Sequence, residues 1–110
     1  MQRISLDALA RELLEKAATA PGGHTAKTVC GGHEKVLRQT VIAMTGGSRL
    51  GEHENPGEAT VLVLRGRVRL WTEKASWEGR HGDLIIVPDT SHSLEATEDA
   101  AVLLTVAKLS

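Results

Sequence analysis

Between Ser5 and about Thr19 the apolar residues Leu6, Leu9, Ala10, Leu13, Leu14, Ala17 and Ala18 recur at spacings of three and four, which places them on one face of a helix. Ser5 can cap that helix by accepting a backbone N–H, Ile4 and Leu9 are spaced to form a hydrophobic staple, and Pro21-Gly22-Gly23 stops it. An amphipathic helix must bury its stripe. The expectation is packing against the outside of its own domain, with a dimer contact as the alternative use.

After Gly23 the pattern changes to short runs rich in Val, Ile, Leu and Thr, punctuated by Gly, Pro, Asp or Ser: "KVLRQTVIAM", "EATVLVLRG", "RVRLWTE", "DLIIVP", "HSLEAT" and "AAVLLTVAK". In "RGRVRLWT", Arg67, Arg69 and Trp71 alternate with Val68, Leu70 and Thr72, so one side of that strand meets solvent and the other a core. Turns about every ten residues favour an all-β sandwich or small barrel over a parallel α/β sheet. The chain therefore reads as an N-terminal helical arm, residues 1–22, followed by one β-barrel domain, residues 23–110.

Length and composition narrow the classes. A chain of 110 residues suits one compact domain. With 41% hydrophobic residues, 25% charged residues and a net charge of -1, it has no overall basic field, so neither nucleic acid nor a membrane is expected as a partner. Phe and Tyr are absent and the only aromatics are Trp71 and Trp77, which removes the stacking platforms that single-stranded nucleic acid binders use. Cys30 is the single cysteine, so no internal disulfide can form. A reducing compartment and, with no signal-like or membrane-spanning stretch, a cytoplasmic location are predicted.

The candidate chemistry centres on "GEHENPGEAT", Gly51 to Thr60. Residues two apart on a strand share a face, so His53 and Asn55 can address one cavity, and Pro56-Gly57 favours a tight turn with Glu58 just beyond it. His92 follows the strand that ends at Pro88. The remaining histidines read as structural or exposed: His33 in a glycine-rich turn near Cys30, without zinc-site spacing; His81 at a turn; His24 after the helix stop, facing solvent. "TGGSRLG" precedes no helix and makes a bend rather than a phosphate cradle, and Glu98 and Asp99 read as a solvated hairpin turn.

The order of these features resembles the cupin superfamily. "GSRLGEHENPGEATVLVLRG", Gly47 to Gly66, is similar to its first motif: glycine, five residues, His-x-His, three or four residues, glutamate, six residues, glycine. "GDLIIVPDTSH", Gly82 to His92, is similar to the second, with one residue fewer between Pro88 and His92 and with Thr90 where the family often has glycine. The resemblance implies a cupin-type double-stranded β-helix, or jelly-roll, barrel. Position by position, His53 and His92 stand where the family has metal-binding histidines, Asn55 stands in the place of the second histidine, and Ala59 in that of the glutamate.

That depletion sets the functional expectation. A mononuclear Fe, Mn, Ni or Zn site normally takes at least three imidazole, carboxylate or thiolate donors. The first reading is a cupin that binds a small molecule in the barrel without a tight catalytic metal, with His53, Asn55, Glu58 and His92 as polar contacts and Val61, Val63 and Leu70 as apolar lining. The alternative is a metal-dependent oxygenase or isomerase in which His53, His92 and a rotated Glu58 hold a divalent transition metal. Cupins often pair, and "VLLTVAK" looks like an apolar edge strand in need of cover, so a homodimer is expected. No catalytic residue is assigned.

Overall fold

The computed structural model describes residues 2–53 and 57–108. The helix forms where the periodicity placed it: α1 spans Leu6–Ala17, and the Ser5 hydroxyl accepts the Ala8 N–H at 3.2 Å. Among the described residues no helix is long and apolar enough to cross a membrane.

Nine strands follow among the described residues: β1 (His24–Cys30), β2 (Leu37–Met44), β3 (Arg49–His53), β4 (Gly57–Arg65), β5 (Arg67–Trp71), β6 (Ser76–Arg80), β7 (Leu84–Ile86), β8 (His92–Ala96) and β9 (Ala100–Lys108). They form two antiparallel sheets, ordered β1-β2-β9-β4-β7 and β3-β8-β5-β6. The sheets stack as a jelly-roll sandwich and share no strand pairing, so the barrel is open where β6 and β7 approach.

Alternation decides what lies between the sheets. Val68 and Leu70 of β5 are buried while Arg67 and Arg69 are exposed, as the strand pattern predicts. With Ile42, Met44, Val61, Val63, Leu94 and Val102 they make the central core. A second core lies on the outer face of the five-stranded sheet, where Leu9, Ala10, Leu13 and Ala17 of α1 pack on Val41, Ala43, Ala101 and Leu103. Leu9 and Leu13 each bring roughly 2 kcal/mol of burial to that contact, and Asp7 ties the first turn of α1 to the sheet by accepting the Arg65 guanidinium at 2.9 Å.

Several expectations are corrected by the pairing. β9, which contains "VLLTVAK", is the central strand of its sheet, bonded to β2 and β4 and covered by α1, so its apolar residues are core and not an edge awaiting a partner. β8 and β9 belong to different sheets, so Glu98 and Asp99 cross from one sheet to the other and do not close a hairpin. Asp99 anchors the crossing by accepting the Gly46 N–H at 2.7 Å. His24 opens β1 half-buried, with its Nδ1 shut away from solvent, and so is only partly open to water.

Candidate functional site

β8 and the loop before it place His92. Leu94 and Ala96 alternate with Ser93 and Glu95, and the inward set carries His92 to the mouth of the sandwich, where it is 5% exposed. Pro88 turns the chain, and the Thr90 N–H donates to the Pro88 carbonyl at 2.9 Å. The Thr90 carbonyl then lies 3.0 Å from His92 Nδ1. A carbonyl can only accept, so Nδ1 donates in this contact. This hydrogen bond helps to orient the ring.

β3 and β8 pair with His53 directly opposite His92. Two residues of β8 span the distance that three of β3 cover between Leu50 and His53, which marks a β-bulge in "RLGEH". The two histidines that the motifs single out are therefore neighbours in the ladder. Asn55 lies outside the described residues. Glu58 is exposed on β4, whereas the adjacent Ala59 points into the central core at 8% exposure. The interior position thus carries a methyl group and the carboxylate lies on the outer face.

His53 and His92 are the two motif histidines that a transition-ion site could draw on. Two imidazoles fall short of the three donors such a site takes, and an amide oxygen suits harder ions. Among the described residues no three His, Cys, Asp or Glu side chains come together.

The space around His92 divides in two. Inward, Ile42, Leu50, Val61, Leu70 and Val102 enclose a cavity of only about 20 Å³, at most one water in size and apolar apart from His92. The interior is filled by side chains. Outward, a cleft of about 380 Å³ is lined by Trp71, Thr72 and Glu73 at the end of β5 and by Thr90, Ser91, His92 and Ser93. That volume lies in the range of small-molecule sites. A larger hollow of about 550 Å³ lies at the other end of β5, between Arg67, Glu78, Arg80, Asp83, Thr97 and Glu98, and contains no histidine.

The cleft brings in residues that the motif left aside. Trp71 is flanked by guanidinium groups, with Arg49 at 4.6 Å and Arg69 at 5.8 Å from the ring centroid. Trp71 and Glu73 lie 19 or more residues from His92 in sequence and reach it through the β5–β8 ladder, in which Trp71 pairs with Ser93. Of the apolar residues expected to line a pocket, Val61 and Leu70 border the small cavity and Val63 is core.

The chain belongs to the cupin family: the model of the cupin domain matches residues 40–107. No curated protein matches it. Among solved structures it is similar to a conserved protein of unknown function from Streptococcus pyogenes, at 27% identity and a TM-score of 0.71 over 79% of this chain and 75% of that one. A cupin superfamily protein from Desulfitobacterium hafniense aligns over 98% of this chain and 92% of its own, with a TM-score of 0.74 at 14% identity. KdgF from a Halomonas species aligns over 83% and 85%, with a TM-score of 0.66 at 22% identity. The last two likenesses concern the fold alone.

Proposed function

We propose that this cupin binds a small polar molecule at the barrel mouth, in the cleft floored by His92. The observation that carries the reading is the position of His92: buried, oriented by the Thr90 carbonyl, and bordering both the filled interior and the open cleft. An interior cavity of about 20 Å³ moves the ligand out of the barrel's centre to its rim. There Thr72, Thr90, Ser91 and Ser93 supply hydroxyls, Glu73 a carboxylate and Trp71 an edge.

The test is a fragment screen followed by amide chemical shifts of the full chain. Perturbations should centre on Thr90–Ser93 and the Trp71 indole, and His92→Gln should weaken binding about tenfold, the loss of one good hydrogen bond. Ligands that perturb only the hollow around Arg67 and Arg80 would overturn the assignment.

The metal-dependent enzyme reading keeps one supporting observation, the pairing of His53 with His92. Its test is elemental analysis followed by calorimetric titration with Fe(II), Mn(II), Ni(II) and Zn(II) on wild type and His53→Ala. Near-stoichiometric metal lost in the variant would favour it, and absence of tight uptake would leave the metal-free cleft.

A further inference from the structure

At the end of β5 away from Trp71, the register sets two guanidinium groups side by side. Arg67 lies directly opposite Arg80 in the β5–β6 ladder, and both are exposed on the outer face, since Val68 and Gly79 beside them turn inward. Gly79 faces the core so closely that a Cβ there would lie 3.0 Å from Ile85 Cδ1 and 3.1 Å from Val63 Cγ2. Like charges facing each other across a ladder weaken the pairing. Among the described residues neither guanidinium has an ion-pair partner to offset this. The chain holds both residues by their backbones instead. The Arg80 N–H donates to Asp83 Oδ2 at 2.9 Å, and the Arg67 carbonyl accepts the Thr97 N–H at 3.0 Å and the Thr97 hydroxyl at 3.3 Å. Both guanidinium groups are left over for solvent or for a ligand.

They open onto the hollow of about 550 Å³, which three carboxylates also line: Glu78, Asp83 and Glu98. Asp83 is taken up by the turn after β6. Glu78 stands two residues before Arg80 on the same face, Glu98 lies on the crossing from β8 to β9, and neither makes an ion pair among the described residues. A free anion drawn to the arginines meets these carboxylates, and a free cation drawn to the carboxylates meets the arginines. Nor, among the described residues, do the carboxylates gather closely enough to hold a metal ion. A molecule with one charge of each sign suits both sets. Arg80 and Glu78 are about 7 Å apart along their strand, and a dipeptide separates its terminal charges similarly, at about 3.5 Å per residue.

We propose that this hollow is a second binding site, for a short zwitterion of dipeptide length. Arg67 and Arg80 take its carboxylate between two planar forks, and Glu78 and Glu98 receive its ammonium. A carboxylate so placed also relieves the repulsion between the two guanidinium groups. The volume lies in the range of small-molecule sites and leaves room for side chains on the ligand. The hollow and the rim cleft lie at opposite ends of β5, so the two readings fail separately: the rim assignment falls when no ligand reaches Thr90–Ser93, and this one on the outcomes below.

Amide chemical shifts of the full chain, titrated at low salt with dialanine, test it. Arg67, Gly79, Arg80 and Thr97 should shift in a saturable way. N-acetyl-dialanine lacks the ammonium and dialanine amide lacks the carboxylate, and each should bind at least about tenfold more weakly, as the loss of a charged hydrogen bond requires. Arg67→Gln should weaken dialanine to the same degree and leave it no better a ligand than its amide. Glu78→Gln should remove most of the preference for dialanine over the acetylated form. Arg80→Gln repeats the first comparison independently, and circular dichroism checks that all three variants fold. Dialanine that moves none of these amides, capped forms that bind as well as dialanine, or binding that survives both arginine substitutions would each overturn the proposal.

Discussion

Leu70→Ala examines whether the interior is solid, on which the assignment of the ligand to the rim depends. Leu70 is 1% exposed, borders the cavity of about 20 Å³, and sits on β5, which is bonded to β6 on one side and β8 on the other. A strand held along both edges cannot collapse inward, so the space left by the side chain should persist. Leu→Ala in such settings costs about 3–5 kcal/mol, a transfer contribution plus one for the retained cavity. For a domain near this size each kcal/mol moves the midpoint by roughly 4–8 °C, so a fall of at least about 12 °C is expected. Equilibrium urea unfolding gives the free energy directly, and an unchanged m-value would show that the unfolded state is not the cause. The enlarged cavity should also admit benzene or xenon, which the wild-type interior has no room to hold. A loss below about 1 kcal/mol, or equal benzene binding by wild type, would refute the reasoning and return the ligand to the barrel interior.

Three further outcomes follow from local geometry. Gly66 has φ +73°, and a Cβ there would overlap the Asp99 carbonyl oxygen and come within 2.9 Å of Ala100 Cα, so Gly66→Ala should lower the melting temperature more than other surface glycine substitutions do. Ser5→Ala removes the cap on the Ala8 N–H and should cost about 1 kcal/mol in urea unfolding. The Arg65 hydrogen bond and charge, aided by Arg11, hold the Asp7 carboxyl below the usual carboxylate range. Its stabilising effect is therefore complete above the unfolded value of about 3.9 and is lost as pH falls through the lower folded value. Wild type should exceed Asp7→Asn in melting temperature at neutral pH, and the gap should close in acid; a gap independent of pH would refute the assignment.

Apart from β7, the edge strand already visible in "DLIIVP", the strands that the apolar pattern reveals and those it hides differ in position. β2, β4, β5, β8 and β9 lie inside their sheets and carry Val, Leu and Ile at the required alternation. The unexpected strands β1, β3 and β6 are all edges, and β1 and β6 are mostly exposed, as "HTAKTVC" and "SWEGR" suggest. An edge strand needs fewer apolar residues because less of it is buried, so its pairing leaves little mark on composition. The edge role expected of "VLLTVAK" failed for the converse reason: a run apolar on both faces is the signature of a strand between two cores.

The candidate site divides along the same line. Resemblance to the cupin motifs singled out His53 and His92 and set Asn55 and Ala59 against two of the family's donor positions, a comparison that needs only residue type and order along the chain. Which face of β4 carries Glu58, how little space the filled interior leaves, and the meeting of Trp71 with the Thr90–Ser93 loop depend on contacts between residues far apart in the chain. Local sequence sets which side chains exist and the period at which they alternate; the pairing register decides which of them become neighbours, and no spacing along the chain encodes that choice.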